Sequence, residues 1–240
     1  MSKLDRFETI KLIDSTDGNL NLSEADLEET DLSFLDLTGA NLSNANLKNS
    51  NLTGVKLNNA NLTRASLNDA NLSQINLNGA NLSEAIMYGV NLSDATIENA
   101  NLSGVSLQGS KGINTNLTGS ILTNSKFQAC NLSGAILKNV DFTNAYMRIC
   151  NILNSDFTES IFINVHLNES NLSESNLSNS VFFNVKLRNS VLNMANLSNA
   201  KLINVLLSYS KLSETIFTEA ELIDVDFTGS VLTSCIDLEY

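Results

Sequence analysis

The chain has 240 residues, no Pro, no Trp and 10 Phe, with Asn, Leu and Ser as its dominant types, a bias that points to internal repetition. Its 42% hydrophobic content, regularly spaced, argues against a disordered chain. The formal net charge of −12 disfavours nonspecific attraction to nucleic acid or anionic lipid, which carry the same sign, and no apolar run approaches the ~18 residues of a membrane span.

The opening MSKLDRFETIKLIDSTDGN has no long apolar stretch, so neither a signal peptide nor a spanning segment is expected and the chain reads as cytoplasmic. LDRFETIKLI is expected to cover the first repeat as either a short helix or a strand, and STDG to turn the chain. Beyond this, leucine returns at 42, 47, 52, 57 and 62. On a helix a step of five advances about 140° past a full turn, and the leucines would spiral over every face. On a flat strand they would alternate sides. One consistent interior is recovered if the chain bends once per five residues.

Taking every position that ends in 2 or 7 from Leu22 to Leu232 as a centre, there are 43 centres, and all but Gly112 are Leu, Phe, Ile or Met. Two places earlier stand small residues such as Ala40, Ala45, Ser50 and Val55. One large and one small inward side chain per side suits a narrow cylinder, because two large ones would overfill it. A second period gives the number of sides. INVHL at 163–167, FNVKL at 183–187, INVLL at 203–207 and IDVDF at 223–227 recur every 20 residues, as do inward Phe142, Phe162 and Phe182, so four pentads close one coil and like residues stack. A charged Asp at the central position of 17 and again of 237 would be costly to bury. The expected organisation is therefore a cap over 1–19, a cylinder over 20–235 and a tail over 236–240.

ANLSN, ANLKN, ANLTR, ASLND and ANLSE resemble the pentapeptide-repeat family motif A(D/N)LXX, in phase over about 215 residues. The resemblance implies an all-β, right-handed quadrilateral β-helix, and the handedness comes from the resemblance alone. With roughly 4.8 Å between stacked coils, about 11 coils make a rod about 50 Å long.

Gly112 leaves one side of one coil without its plug, which makes it a bulge, a bend or a small cavity. Cys130 and Cys150 are both inward and one coil apart, and a reducing compartment favours free thiols there. His166, the sole histidine, is expected to face solvent without a partner, and no Cys/His spacing suggests a metal site. A convex rod offers no cleft for paired carboxylates, and the glycines at pentad ends are explained by corners. The chain is therefore read as non-enzymatic, with no catalytic, cofactor-binding or metal residue.

The candidate interface is on the outside. Ile163, Phe183, Ile203 and Ile223 fall 20 apart at an outward position otherwise filled by Ser, Thr or Asn, with Ile161, Val181 and Leu206 flanking. At the other candidate surface, the C-terminal coil, Ile236, Leu238 and Tyr240 either pair with a second copy or fold over their own coil.

Two functions follow. One is an interaction rod that binds a protein partner through its outer faces, with a homodimer through the C-terminal coils and no direct nucleic-acid or membrane binding. The other comes from the resemblance: the quinolone-resistance branch and related gyrase-protecting members are acidic dimeric rods that imitate DNA on topoisomerases. The net charge fits that reading, but its distribution fits less well, at −7 over 1–36, +2 over 37–155 and −7 over 156–240.

Overall fold

The computed structural model describes residues 3–16 and 20–238. Within the pentads each central N–H donates to a carbonyl one coil further on, as in Leu22 N to Asn41 O at 2.7 Å, and the next coil answers with Asn41 N to Leu20 O at 2.8 Å. Parallel bridges between residues 20 apart run from Asn21–Asn41 to Ile216–Ile236 without a slip of register. Four corners per coil make the right-handed quadrilateral β-helix expected from the two periods. The ladder takes in Ile236, the first residue of the expected tail.

Each corner needs one residue in the left-handed region, and the fifth residue of each pentad supplies it, as at Asn44 (φ 58°) and Gly39 (φ 68°). Asn and Gly tolerate this region best, hence their frequency there. The Asn before many centres has a second use. Its side-chain oxygen accepts the N–H two residues on, as from Ser43 N to Asn41 Oδ1 at 3.1 Å, which competes with sheet pairing and ends it after one residue.

Where this Asn is lost and an Ile or Phe follows a bulky apolar centre, pairing lengthens. The results are β1 (Ile161–Ile163), β2 (Val181–Phe183), β3 (Lys201–Ile203) and β4 (Glu221–Ile223), which form one parallel sheet in chain order. β-branched and aromatic residues fit a pleated surface, so they stabilise the longer strand.

The core is the axis itself. Leu42 and Leu47 are both fully buried. Phe142, Phe162 and Phe182 form a continuous stack, with centroids 5.1 and 4.6 Å apart, and Phe157 tilts against the first two. The small inward positions also have a hydrogen-bonding role. Ser190 Oγ donates to Leu167 O of the preceding coil at 2.9 Å and accepts Ser170 N at 3.3 Å. Ser170 and Ser210 repeat the donation, and the free thiols of Cys130 and Cys150 make it to Leu107 O and Phe127 O.

The cap is a helix, α1 (Arg6–Ser15), opened by a reciprocal capping box between Asp5 and Glu8. It is tied to the cylinder by Leu4 N to Asp26 O at 2.7 Å and by Arg6, whose guanidinium donates to the carbonyls of Asp31 and Ser33. Lys3 adds a parallel bridge to Asp26. Asp17 and Gly18 of the expected turn lie outside the described residues. Gly112 keeps its place in the ladder, donating to Asn131 O at 2.7 Å, so it is neither bulge nor bend. It borders a closed cavity of about 10 Å³ into which Leu132 has leaned. The polar groups lining it are already bonded, with Ser110 to Met87 O and Thr115 to Leu92 O, which leaves nothing to hold a water there.

Candidate functional site

Outward positions are set by the corners, so each face carries columns of residues 20 apart. The first column of interest lies on the strand face. Ile163, Phe183, Ile203 and Ile223 are aligned in register through β1 to β4. Phe183 and Ile223 are exposed, Ile163 and Ile203 are half-buried, and Ile161 and Val181 lie exposed beside them.

The stripe is rimmed by polar groups. On one side Asn144, Asn164, Asn184 and Asn204 bond in a ladder at 3.1, 3.2 and 2.7 Å. On the other stands the Lys201–Glu221 ion pair at 2.8 Å. An apolar strip inside a polar frame is the composition of a contact surface. Leu206 does not widen it. It sits round the corner, bridged between Lys186 and Asp226 on the adjacent face.

The C-terminal candidates are not part of this stripe. Ile236 is exposed on another face, paired with Ile216, and Leu238 is half-buried against the core. Tyr240 lies outside the described residues. In this last coil the centres Leu222, Phe227 and Leu232 are only half-buried, whereas their counterparts one coil earlier, Leu202, Leu207 and Leu212, are buried. The end is apolar and partly open.

A second surface escaped the sequence reading. On the face that follows the strand face, Lys126, Tyr146, His166 and Lys186 form one column, with Arg148 and Arg188 beside it. His166 is half-buried rather than solvent-facing, and its ring lies 5.4 Å from that of Tyr146. Burial, then the charges of Lys186 and Arg148, push its pKa below the usual histidine value. The signal was the 20-residue spacing of cations, visible once charges are sorted by face.

The described residues include no His, Cys, Asp or Glu cluster able to hold a metal ion and no helix long and apolar enough to cross a membrane.

The family model described as "Pentapeptide repeat region" matches residues 25–102, 60–137 and 155–232, and "Pentapeptide repeats (8 copies)" matches 125–162. Among solved structures, HetL of Nostoc sp. strain PCC 7120, a pentapeptide repeat protein involved in heterocyst differentiation regulation, is 23% identical. That alignment covers 97% of this chain and 94% of HetL, with a TM-score of 0.38. A trypsin-treated form of QnrB1, a plasmid-mediated fluoroquinolone resistance protein, is 22% identical over 72% of this chain and 83% of its own, with a TM-score of 0.40. A pentapeptide repeat protein of the Arabidopsis thaliana thylakoid lumen is 27% identical over 48% and 66%, with a TM-score of 0.29. No curated protein matches the chain as a relative.

Proposed function

The chain belongs to the pentapeptide-repeat family, and from that premise we propose that it is a non-enzymatic rod that binds a protein partner along its apolar stripe. The observation that carries this reading is the in-register column Ile163, Phe183, Ile203 and Ile223, set in a polar frame where most of the rod carries Ser, Thr or Asn. A rigid ladder fixes these side chains before contact, so little ordering entropy opposes docking. The stripe's aromatic, Phe183, is the natural anchor. We place the protein in the cytoplasm, where a reducing environment suits the adjacent free thiols of Cys130 and Cys150. The half-open apolar end, with Ile236 exposed, supports a further contact there with a second copy.

The test is Phe183→Asp combined with Ile203→Asp, both outward and tolerable to the fold. Partner capture and sedimentation are expected to change while circular dichroism does not. Unchanged capture with an intact fold removes the stripe from the interface.

A second reading is a DNA mimic that binds gyrase or topoisomerase, favoured by the −7 carried by residues 156–240. Against it stand the cations Lys126, Arg148, Lys186 and Arg188 on one face, since a duplex imitation presents negative charge to the protein that grips it. Gyrase supercoiling, measured with and without a quinolone, decides this: neither inhibition nor protection at micromolar protein ends the mimic.

A further inference from the structure

The cationic face has a mirror of opposite sign on itself. Of the chain's 14 Lys and Arg, Lys3, Arg6, Lys56, Arg64, Lys138, Arg148 and Lys201 have a carboxylate within 4 Å. Of the other seven, which have none among the described residues, Lys48, Lys126, Lys186 and Arg188 stand on this face. At the N-terminal end of the same face stand Asp26 and Glu28. Their carboxylates accept Asn46 Nδ2 at 3.1 and 3.0 Å and meet no cation within 4 Å among the described residues. Midway between, at Ser106 and Gln108, the face carries no charge, and Gln108 Oε1 is buried with no hydrogen-bond partner among the described residues.

We propose that this face pairs with the same face of a second copy, antiparallel, about a twofold axis through Ser106 and Gln108. Such an axis lies in the interface along the coil direction, so it reverses the order of coils and sets each column of the face against the same column of the copy. Residues four coils to either side, about 19 Å along the rod, then meet: Asp26 opposite Lys186, and Glu28 opposite Arg188.

No two basic residues are juxtaposed, since Lys48 comes opposite Asn168, Arg148 opposite Asn68 and His166 opposite Asn46. No other antiparallel register about this face puts Asp26 and Glu28 on Lys186 and Arg188; the Asp226 carboxylate, two coils beyond Lys186 in the same column, has no counterpart in the copy. The twofold also doubles each contact, since every pair occurs twice. This surface is separate from both the stripe and the C-terminal end.

The experiment is sedimentation of the full chain at low and high salt. The wild type is expected to dimerise, with association weakened at least about tenfold on raising salt from roughly 0.02 M to 0.5 M, because the contact is charged and near the surface. Lys186→Glu with Arg188→Glu sets acid against acid, and Asp26→Lys with Glu28→Lys sets base against base, so each variant alone is expected to be monomeric. Mixed one to one they restore opposite charge at both ends, and a heterodimer is expected. Gln108→Cys in a Cys235→Ser background is expected to cross-link to its own mate under mild oxidant. A wild type monomeric at about 100 µM and low salt, a variant that dimerises as well as wild type, or a mixture that stays monomeric each overturns the proposal. So does a monomer whose Lys186 and Arg188 are needed only to hold heparin, which would make the face an anion site.

Discussion

Phe182 lies flat on Phe162 one coil below, with ring centroids 4.6 Å apart and planes 3° from parallel. Parallel in-register stacking fixes this geometry, because both rings leave the same position of the same side of successive coils. Their removal tests how far the axis behaves as a close-packed interior.

Phe182→Ala should lower stability by about 3–5 kcal/mol, since a ring-sized void opens where neighbouring coils cannot close in. Phe227→Ala, in the half-buried last coil, should lose less than half as much. Denaturant midpoints of the two variants check this, and equal losses would contradict a rod whose packing weakens towards that end.

Gly54 sits at φ +64°, and the ring of Phe34 in the preceding coil lies 2.6 Å from where a Cβ would be. Gly54→Ala therefore meets both backbone strain and a clash, with an expected loss of about 1–3 kcal/mol. Gly109, at φ +69° with nothing within 4 Å of a Cβ, isolates the strain alone. Thermal melts should show Gly109→Ala as the milder change, and adding Phe34→Ala should relieve Gly54→Ala but not Gly109→Ala.

The hydroxyl of Ser190 donates to Leu167 O and accepts Ser170 N, both in the preceding coil. Ser190→Ala leaves a buried donor without its acceptor and should cost about 1–3 kcal/mol. Ser190→Cys should be milder, since thiols already hold the same column at Cys130 and Cys150. If alanine melts like wild type, the interior hydroxyls serve volume alone.

Asp31, Asp36 and Asp226 have carboxyls below the usual aspartate range, held there first by the side-chain hydroxyls of Ser33, Thr38 and Thr228 and then by the backbone N–H groups of the same residues. A depressed folded-state value contributes stability above the unfolded value, near 4, and that contribution disappears as pH falls through the lower folded values. The thermal midpoint should decline modestly as pH falls through about 6.5, where the depressed His166 takes up its proton first in the unfolded chain. It should fall further below about 4, less steeply in Asp36→Asn. A midpoint that rises on acidification would reverse the sign argued here.

Architecture is legible in this sequence because both of its periods are geometric. A step of five sets the bend, and a step of 20 sets which residues touch, so burial of Leu42 and Leu47 and stacking of Phe162 on Phe182 follow from counting. The stripe through Phe183 was legible for the same reason.

The cationic face was not, because charge summed along the chain mixes four directions: Lys126 and Lys138 are near in sequence yet stand on different faces. Ser190 and its column read as small residues, since nothing local shows that a carbonyl of the preceding coil lies within reach. The helical cap had a signal in Asp5 and Glu8, three apart, but ten residues without a clean apolar face left helix and strand open. At Gly112 the outcome depended on how far Leu132 leans, which only packing determines.

The closed circuit of twenty residues has a consequence for how such a chain can change length. Gaining or losing one pentad turns everything after it by a quarter revolution, which would carry Lys186 and Arg188 away from the azimuth of Asp26 and Glu28. Gaining or losing a whole circuit preserves azimuth and alters only spacing along the axis. The molecule can be lengthened like a ruler, in whole divisions.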